Sequence, residues 1–134
     1  MLADEYVAGV YRGYGYARKM NLNAARGSAR QIATTEALRK IKDVITDVTH
    51  QLSDDVDDRY LQSISSKAKT YRITNPITVC SATSQSNGYY EVSMCIQMKA
   101  EDLLDFLEEE INQLPKSARE QFENTVINYN ALMK

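Results

Sequence analysis

The sequence predicts an α+β fold: a three-stranded antiparallel sheet, built in the element order β-α-α-β-β-α-α with strand order 2-3-1, and a long helix packed on one face. Three observations carry that expectation. The chain opens on a Tyr- and Val-rich tract, an alanine stripe then runs from about Asn23 to Leu52 with neither Gly nor Pro after Gly27, and an Asn-Gly pair sits between two alternating segments.

The opening tract, residues 6–17 (YVAGVYRGYGYA), reads as a strand that loosens at its glycines, where the chain turns tightly into the following helix. From about Asn23 to Leu52, Ala25, Ala29, Ile32, Ala33, Ala37, Ile41, Val44, Val48 and Leu52 recur at spacings of three and four, with Leu38 and Ile45 flanking the stripe. The first half of this helix offers a narrow alanine face suited to close approach to a sheet; the second half presents bulkier aliphatics. Ser53–Arg59 breaks the pattern and supplies carboxylates for a helix start. A short helix over 56–67 follows, with Tyr60, Leu61 and Ile64 inward, before Thr74-Asn75-Pro76 interrupts the chain.

Asn87-Gly88 is the preferred pair for a two-residue type I′ turn, because both positions take positive φ. With those residues at the tip, Ile77, Val79, Ser81 and Thr83 share one face with Tyr90, Val92, Met94, Ile96 and Met98; Cys80, Ala82 and Ser84 share the other with Glu91, Ser93, Cys95 and Gln97. A helix over 101–114 follows, with Leu103, Leu104, Leu107, Ile111 and Leu114 on one stripe, and Pro115 stops it. Ser117 to Glu120 forms a capping box for a last helix, whose inner face carries Ala118, Phe122, Val126, Tyr129 and Met133. The whole reads as a single domain over 1–134, in which 99–134 form a C-terminal helical pair.

At 43% hydrophobic and 25% charged residues the composition is that of a folded globular chain, and a net charge of −2 does not suggest a general polyanion binder. Charge is uneven: residues 1–42 hold eight Lys/Arg and three Asp/Glu, the remainder eight and fifteen. No apolar run approaches the ~18 residues of a membrane span. The opening lacks the basic and apolar regions of a signal peptide, so the expectation is either a cytoplasmic protein starting at Met1 or a form whose leader has been replaced.

RGYGYARK, residues 12–19, fits the start of an RNA-reading signature, basic-Gly-aromatic-Gly-aromatic. In that fold the octet lies on the third strand and ends on an aromatic; here it lies on the first and ends on Lys19. No nucleic acid is therefore expected as partner, with RNA or single-strand binding through the basic N-terminal part kept as an alternative. Gly13-x-Gly15 also fails the dinucleotide fingerprint, since Arg18 stands at its sixth position.

Cys80 and Cys95 fall opposite each other in the hairpin. Counted from a closing pair Ser86 and Tyr89, they form a hydrogen-bonded pair with Cα atoms about 5.5 Å apart. Their Cβ atoms would then sit at or beyond the upper limit of disulfide geometry, so two small half-buried thiols are expected and a disulfide is the alternative. His50 with Asp54, Asp55, Asp57 and Asp58 fails the calcium-loop pattern, whose sixth and twelfth positions are here Arg59 and Ser65. That run reads as a solvated acidic corner. No catalytic residue, metal ligand or cofactor is expected, and Glu108-Glu109-Glu110 reads as a wet helix face. Nine tyrosines without a tryptophan suit a contact surface; the candidate residues are Tyr11, Tyr14, Tyr16, Tyr89, Glu91, Ser93 and Gln97, with Tyr6 and Tyr90 also strand-borne.

Gly13 and Gly15, the stripe Ala25-Ala29-Ala33-Ala37, and Gly88-Tyr89-Tyr90-Glu91-Val92 together resemble a small membrane-associated lipoprotein family of the Gram-negative envelope, whose domain recurs at the N-terminus of a flagellar ring-assembly protein. The resemblance covers residues 6–98. It implies a non-enzymatic scaffolding or interaction module in the periplasm or at the outer membrane, whose partner is another protein or a second copy. The family's lipidated N-terminal Cys does not occur in this sequence, so membrane attachment would require an anchor absent from it. The alternative reading of the residues is a small-ligand binder with a cleft lined by Tyr11, Tyr14, Tyr16 and Tyr90.

Overall fold

A computed structural model describes residues 8–132 of the chain, with side chains as far as Tyr129. The elements run β1 (Val10–Lys19), α1 (Leu22–Leu52), α2 (Asp58–Ala68), β2 (Ile77–Ser86), β3 (Tyr89–Lys99), α3 (Ala100–Phe106), α4 (Glu108–Asn112) and α5 (Lys116–Leu132). The strands form one antiparallel sheet in the order β1-β3-β2, which is the predicted order read from the other edge. Tyr6 and Met133 lie outside the described residues, as does the predicted start of the first strand. The described residues divide into two compact units.

The first unit comprises Tyr11–Arg39 and Ile73–Met98, that is, the sheet and the front of α1. Its core cluster joins Ala17 of β1, Ala25, Ala29 and Ala33 of α1, and Val92, Met94 and Ile96 of β3, with Leu22 and Tyr90 partly buried against it. The strand glycines make this packing possible. A β-carbon on Gly13 would overlap the Ala33 carbonyl oxygen and stand 2.9 Å from the Ala37 nitrogen, and one on Gly15 would overlap the Ala29 carbonyl oxygen. Neither glycine has positive φ. Their role is therefore close approach of strand to helix, where the sequence had suggested a tight turn; the chain reverses at Met20 and Asn21, beyond the strand. Ile32, expected on the buried stripe, is 48% exposed, because it stands about 100° around the helix from Ala33 and the alanine face is narrow.

Asn87 and Gly88 adopt φ of 53° and 79°, the type I′ geometry the sequence predicts. The predicted register holds from the Ser86–Tyr89 pair to the Cys80–Cys95 pair and then shifts, so that Thr78 faces Ile96 with Val79 as an extra residue. β2 lies at the edge, and all of its ten residues but Cys80 are exposed.

The second unit comprises residues 8–10, Lys40–Arg72 and 99–132. Its buried residues continue the α1 stripe through Ile41, Val44, Ile45, Val48 and Leu52, joined by Leu61 and Ile64 of α2 and Phe122 and Val126 of α5. Tyr60, expected inward, is half-exposed. Asp57 caps α2, its carboxylate accepting from the Arg59 amide at 2.9 Å. The predicted helix over 101–114 is two helices, broken where Leu107 leaves helical geometry at φ −97°, ψ 9°. The bonds Leu107 N–H to Leu103 and Ile111 N–H to Leu107 carry the turn through, so Leu103, Leu107, Ile111 and Leu114 all stay buried while Leu104 is half-exposed. The predicted capping box does not form. α5 starts at Lys116, with Arg119 N–H bonded to the Pro115 carbonyl, which places Ser117 inside the first turn.

Candidate functional site

Alternation along β1 sends Tyr11, Gly13, Gly15 and Ala17 inward, so Arg12, Tyr14, Tyr16 and Arg18 occupy the opposite face of the sheet. On β3 the buried residues Val92, Met94, Ile96 and Met98 leave Tyr89, Glu91, Ser93, Cys95 and Gln97 on that same outer face. Contacts across the two strands confirm the assignment. Arg12 Nε donates to Gln97 Oε1 at 2.8 Å, the Tyr16 hydroxyl donates to Glu91 Oε1 at 2.5 Å, and the Arg18 guanidinium lies 4.0 Å from the Tyr89 ring centre. The β2 residues Cys80, Ala82 and Ser84 complete the face opposite Cys95, Ser93 and Glu91.

Six of the seven predicted contact residues thus come together on one sheet face: Tyr14, Tyr16, Tyr89, Glu91, Ser93 and Gln97. Tyr11 does not belong with them. It is 1% exposed and lies on the helix-covered side, because it shares the parity of Gly13 and Gly15. Arg12 and Arg18 were missed, although the same parity assigns them to the face that carries Tyr14 and Tyr16.

The bracing sets the electrostatics. The bond to Glu91 is the main reason the Tyr16 phenol is raised above its ordinary value of 10.0, since the carboxylate favours the neutral, donating hydroxyl. Arg18 stacks on Tyr89 and occupies one side of that ring, and a carboxylate stands beside Tyr16.

Cys80 and Cys95 are joined as a disulfide, which overturns the expectation of two free thiols. The sequence argument assumed an unbroken ladder. The irregularity at Val79 interrupts it beside the pair, and the Cα atoms stand 4.9 Å apart, within disulfide range. The bridge lies on the outer face, where Cys95 is fully buried beneath it.

The Tyr-lined cleft predicted as an alternative is not assembled. Tyr11 and Tyr90 lie on the covered side of the sheet and Tyr14 and Tyr16 on the other. His50, exposed in the last turn of α1, lines a shallow hollow with Thr46, Thr49, Ser53, Asp58 and Gln62. The Ser53 hydroxyl donates to the His50 carbonyl, and Asp58 accepts from Gln62, so neither is bonded to the imidazole. Asp54, Asp55, Asp57 and Asp58 are all exposed, and among the described residues no group of three His, Cys, Asp or Glu gathers as a metal site. Glu108 and Glu109 are exposed as expected; Glu110 is half-buried, with one carboxylate oxygen out of solvent. No described helix is long and apolar enough to cross a membrane.

No family model matches the chain, and no curated protein does. Part of the fold is similar to the crystal structure of the secreted protein HP1454 from the human pathogen Helicobacter pylori, at 15% identity and a TM-score of 0.37. That alignment covers 76% of this chain and 36% of the other, so the chain spans about a third of that protein's length.

Proposed function

We propose that this chain is a non-enzymatic protein-interaction module of the bacterial cell envelope, and that its working surface is the outer face of the sheet. The observation that carries the reading is the bracing of that face. Arg12 with Gln97, Tyr16 with Glu91, and Arg18 with Tyr89 hold six side chains in fixed positions, so little rotamer freedom is lost when a partner docks. Tyrosine and arginine are the residue types that anchor protein contacts. The disulfide supports an oxidising compartment, periplasmic or extracellular, and it occupies the two thiols that would otherwise be candidate nucleophiles. The resemblance to envelope lipoproteins in Gly13, Gly15 and the alanine stripe points the same way.

The test is site-specific photo-crosslinking in cells, with the photoreactive residue at Tyr14, Ala82 or Ser93 on the outer face and at the exposed Asn124 of α5 as control. Protein adducts from the outer-face positions that disappear in a Tyr16→Ala/Arg18→Ala background are expected. Adducts formed equally from Asn124, or none from the sheet, overturn the reading. Retention of single-stranded RNA on filters at low salt, lost in the same background, replaces it with the nucleic-acid alternative.

A further inference from the structure

Beyond the outer face, the structure offers a second surface whose chemistry is that of main chain. β2 pairs with β3 along one side from Ile77 to Ser86, and among the described residues no strand pairs with its other side. A strand at a sheet edge presents a row of unsatisfied N–H and C=O groups, and natural edges are usually blocked by charge, by proline or by a covering element. Along Cys80–Ser86 β2 has none of these, since the Arg30 guanidinium reaches it only at Thr78, 3.4 Å away. Its sequence, ITVCSATSQS, contains no charged residue and no proline, and its side chains are exposed on both faces, with Ile77 51% and Val79 39% exposed. The bulge at Val79 lies near one end and leaves Cys80–Ser86 in regular register. The disulfide ties that stretch to β3 at Cys80, so it is held extended before anything binds.

We propose that the free edge of β2 pairs antiparallel with β2 of a second copy of this chain. The result is a closed dimer with a continuous six-stranded sheet in the order β1-β3-β2-β2-β3-β1. The neutrality of the strand selects a second copy. About a twofold axis at Thr83, Thr83 meets its own equivalent and Ser81 meets Gln85 of the second copy, with no like charges opposed, and Ser and Thr make favourable cross-strand pairs. β1, by contrast, carries Arg12, Arg18 and Lys19, which would face one another in a self-pair. A foreign peptide added to an edge is selected by pockets for its alternate side chains, and these small exposed residues form none. The twofold axis also consumes both β2 edges, so the assembly stops at two copies.

The experiment is sedimentation equilibrium of the full, oxidised chain over a wide concentration range, set beside the Ser81→Lys/Thr83→Lys variant. Both positions are exposed, so the variant should keep its fold, checked by far-UV circular dichroism and by the absence of titratable thiol. A monomer–dimer equilibrium in the native chain is expected, weakened at least roughly tenfold in the variant by the opposed lysines. Amide exchange on the native chain needs no variant: residues 80–86 should slow as concentration rises. A monomer at every concentration, a dimer that the lysines leave intact, or β2 amides indifferent to concentration each overturn the proposal. None of these results bears on the outer-face adducts, so the two readings fail separately.

Discussion

The α-carbon of Gly15 faces the backbone of Ala33 so closely that a β-carbon there would stand 2.7 Å from the Ala33 amide nitrogen. What it would strike is main chain within a helix, which cannot swing aside as a side chain can. Gly15→Ala, and Gly13→Ala for the same reason, should therefore cost about 3 kcal/mol or more, at the upper end of overpacking effects. Gly27 is the internal control. It lies in α1 with nothing within 4 Å of an added β-carbon, so Gly27→Ala should stabilise by about 0.5–1 kcal/mol through helix propensity alone. Denaturant unfolding of the three variants checks both signs.

Removing the bridge between Cys80 and Cys95, which are 15 residues apart, should cost about 3 kcal/mol if the loss is loop-closure entropy. Thiol titration of the native chain should find no free thiol. The Cys80→Ser/Cys95→Ser variant and the chain in reductant should unfold at the same denaturant midpoint; a midpoint unchanged from the oxidised chain would show that the bridge is not formed.

Phe122 is fully buried in the second unit. Its replacement by alanine should cost about 4 kcal/mol by lost transfer energy and a residual cavity. Tyr129, whose hydroxyl donates to Asp47 Oδ2 at 2.8 Å, should lose only about 1 kcal/mol on conversion to phenylalanine, because the ring remains and Asp47 stays in contact with water. Thermal unfolding of the two variants should separate clearly.

Stability should fall at both ends of the pH scale, for identifiable reasons. Tyr16 is raised above 10.0 first by its bond to Glu91, and Tyr71 is raised by burial and then by Asp102. A phenol whose folded value is raised keeps its contribution below the ordinary value and loses it as pH rises through the folded one. Asp57 is lowered from 3.8 chiefly by the Arg59 amide, so its contribution is present above that value and lost as pH falls through the lowered one. Unfolding midpoints of Tyr16→Phe/Tyr71→Phe should vary less with pH above 10, and those of Asp57→Asn less with pH below 4.

Most of this architecture was legible in the residues because two signals were strong. The alanine stripe has one period from Ala25 to Ala37, and Asn87-Gly88 admits one turn type, so helix, hairpin and register followed. Two of the misreadings involved local breaks in a regular pattern. Leu107 interrupts a helix without disturbing its buried stripe, and periodicity cannot register that. Val79 breaks the ladder beside the cysteines, and a count made from the turn cannot detect it. Tyr11 was assigned to the open face on its residue type, although its spacing from Gly13 and Gly15 marks it as inward. Of the candidate site, Glu91, Ser93 and Gln97 were found by the alternation of the hairpin and the tyrosines by residue type, and the bracing among them depends on distances that no one-dimensional pattern contains.

Because strand and helix meet backbone to backbone, neither Gly13-x-Gly15 nor the tetrad Ala25, Ala29, Ala33 and Ala37 can drift alone. A bulkier residue in one would need a second change in the other, and for the glycines no smaller residue exists. The two tracts are thus constrained as a unit, a short strand motif followed at fixed distance by small residues every four positions. That joint spacing is a sharper search key for distant cousins of this chain than overall identity, because it is set by backbone clearance.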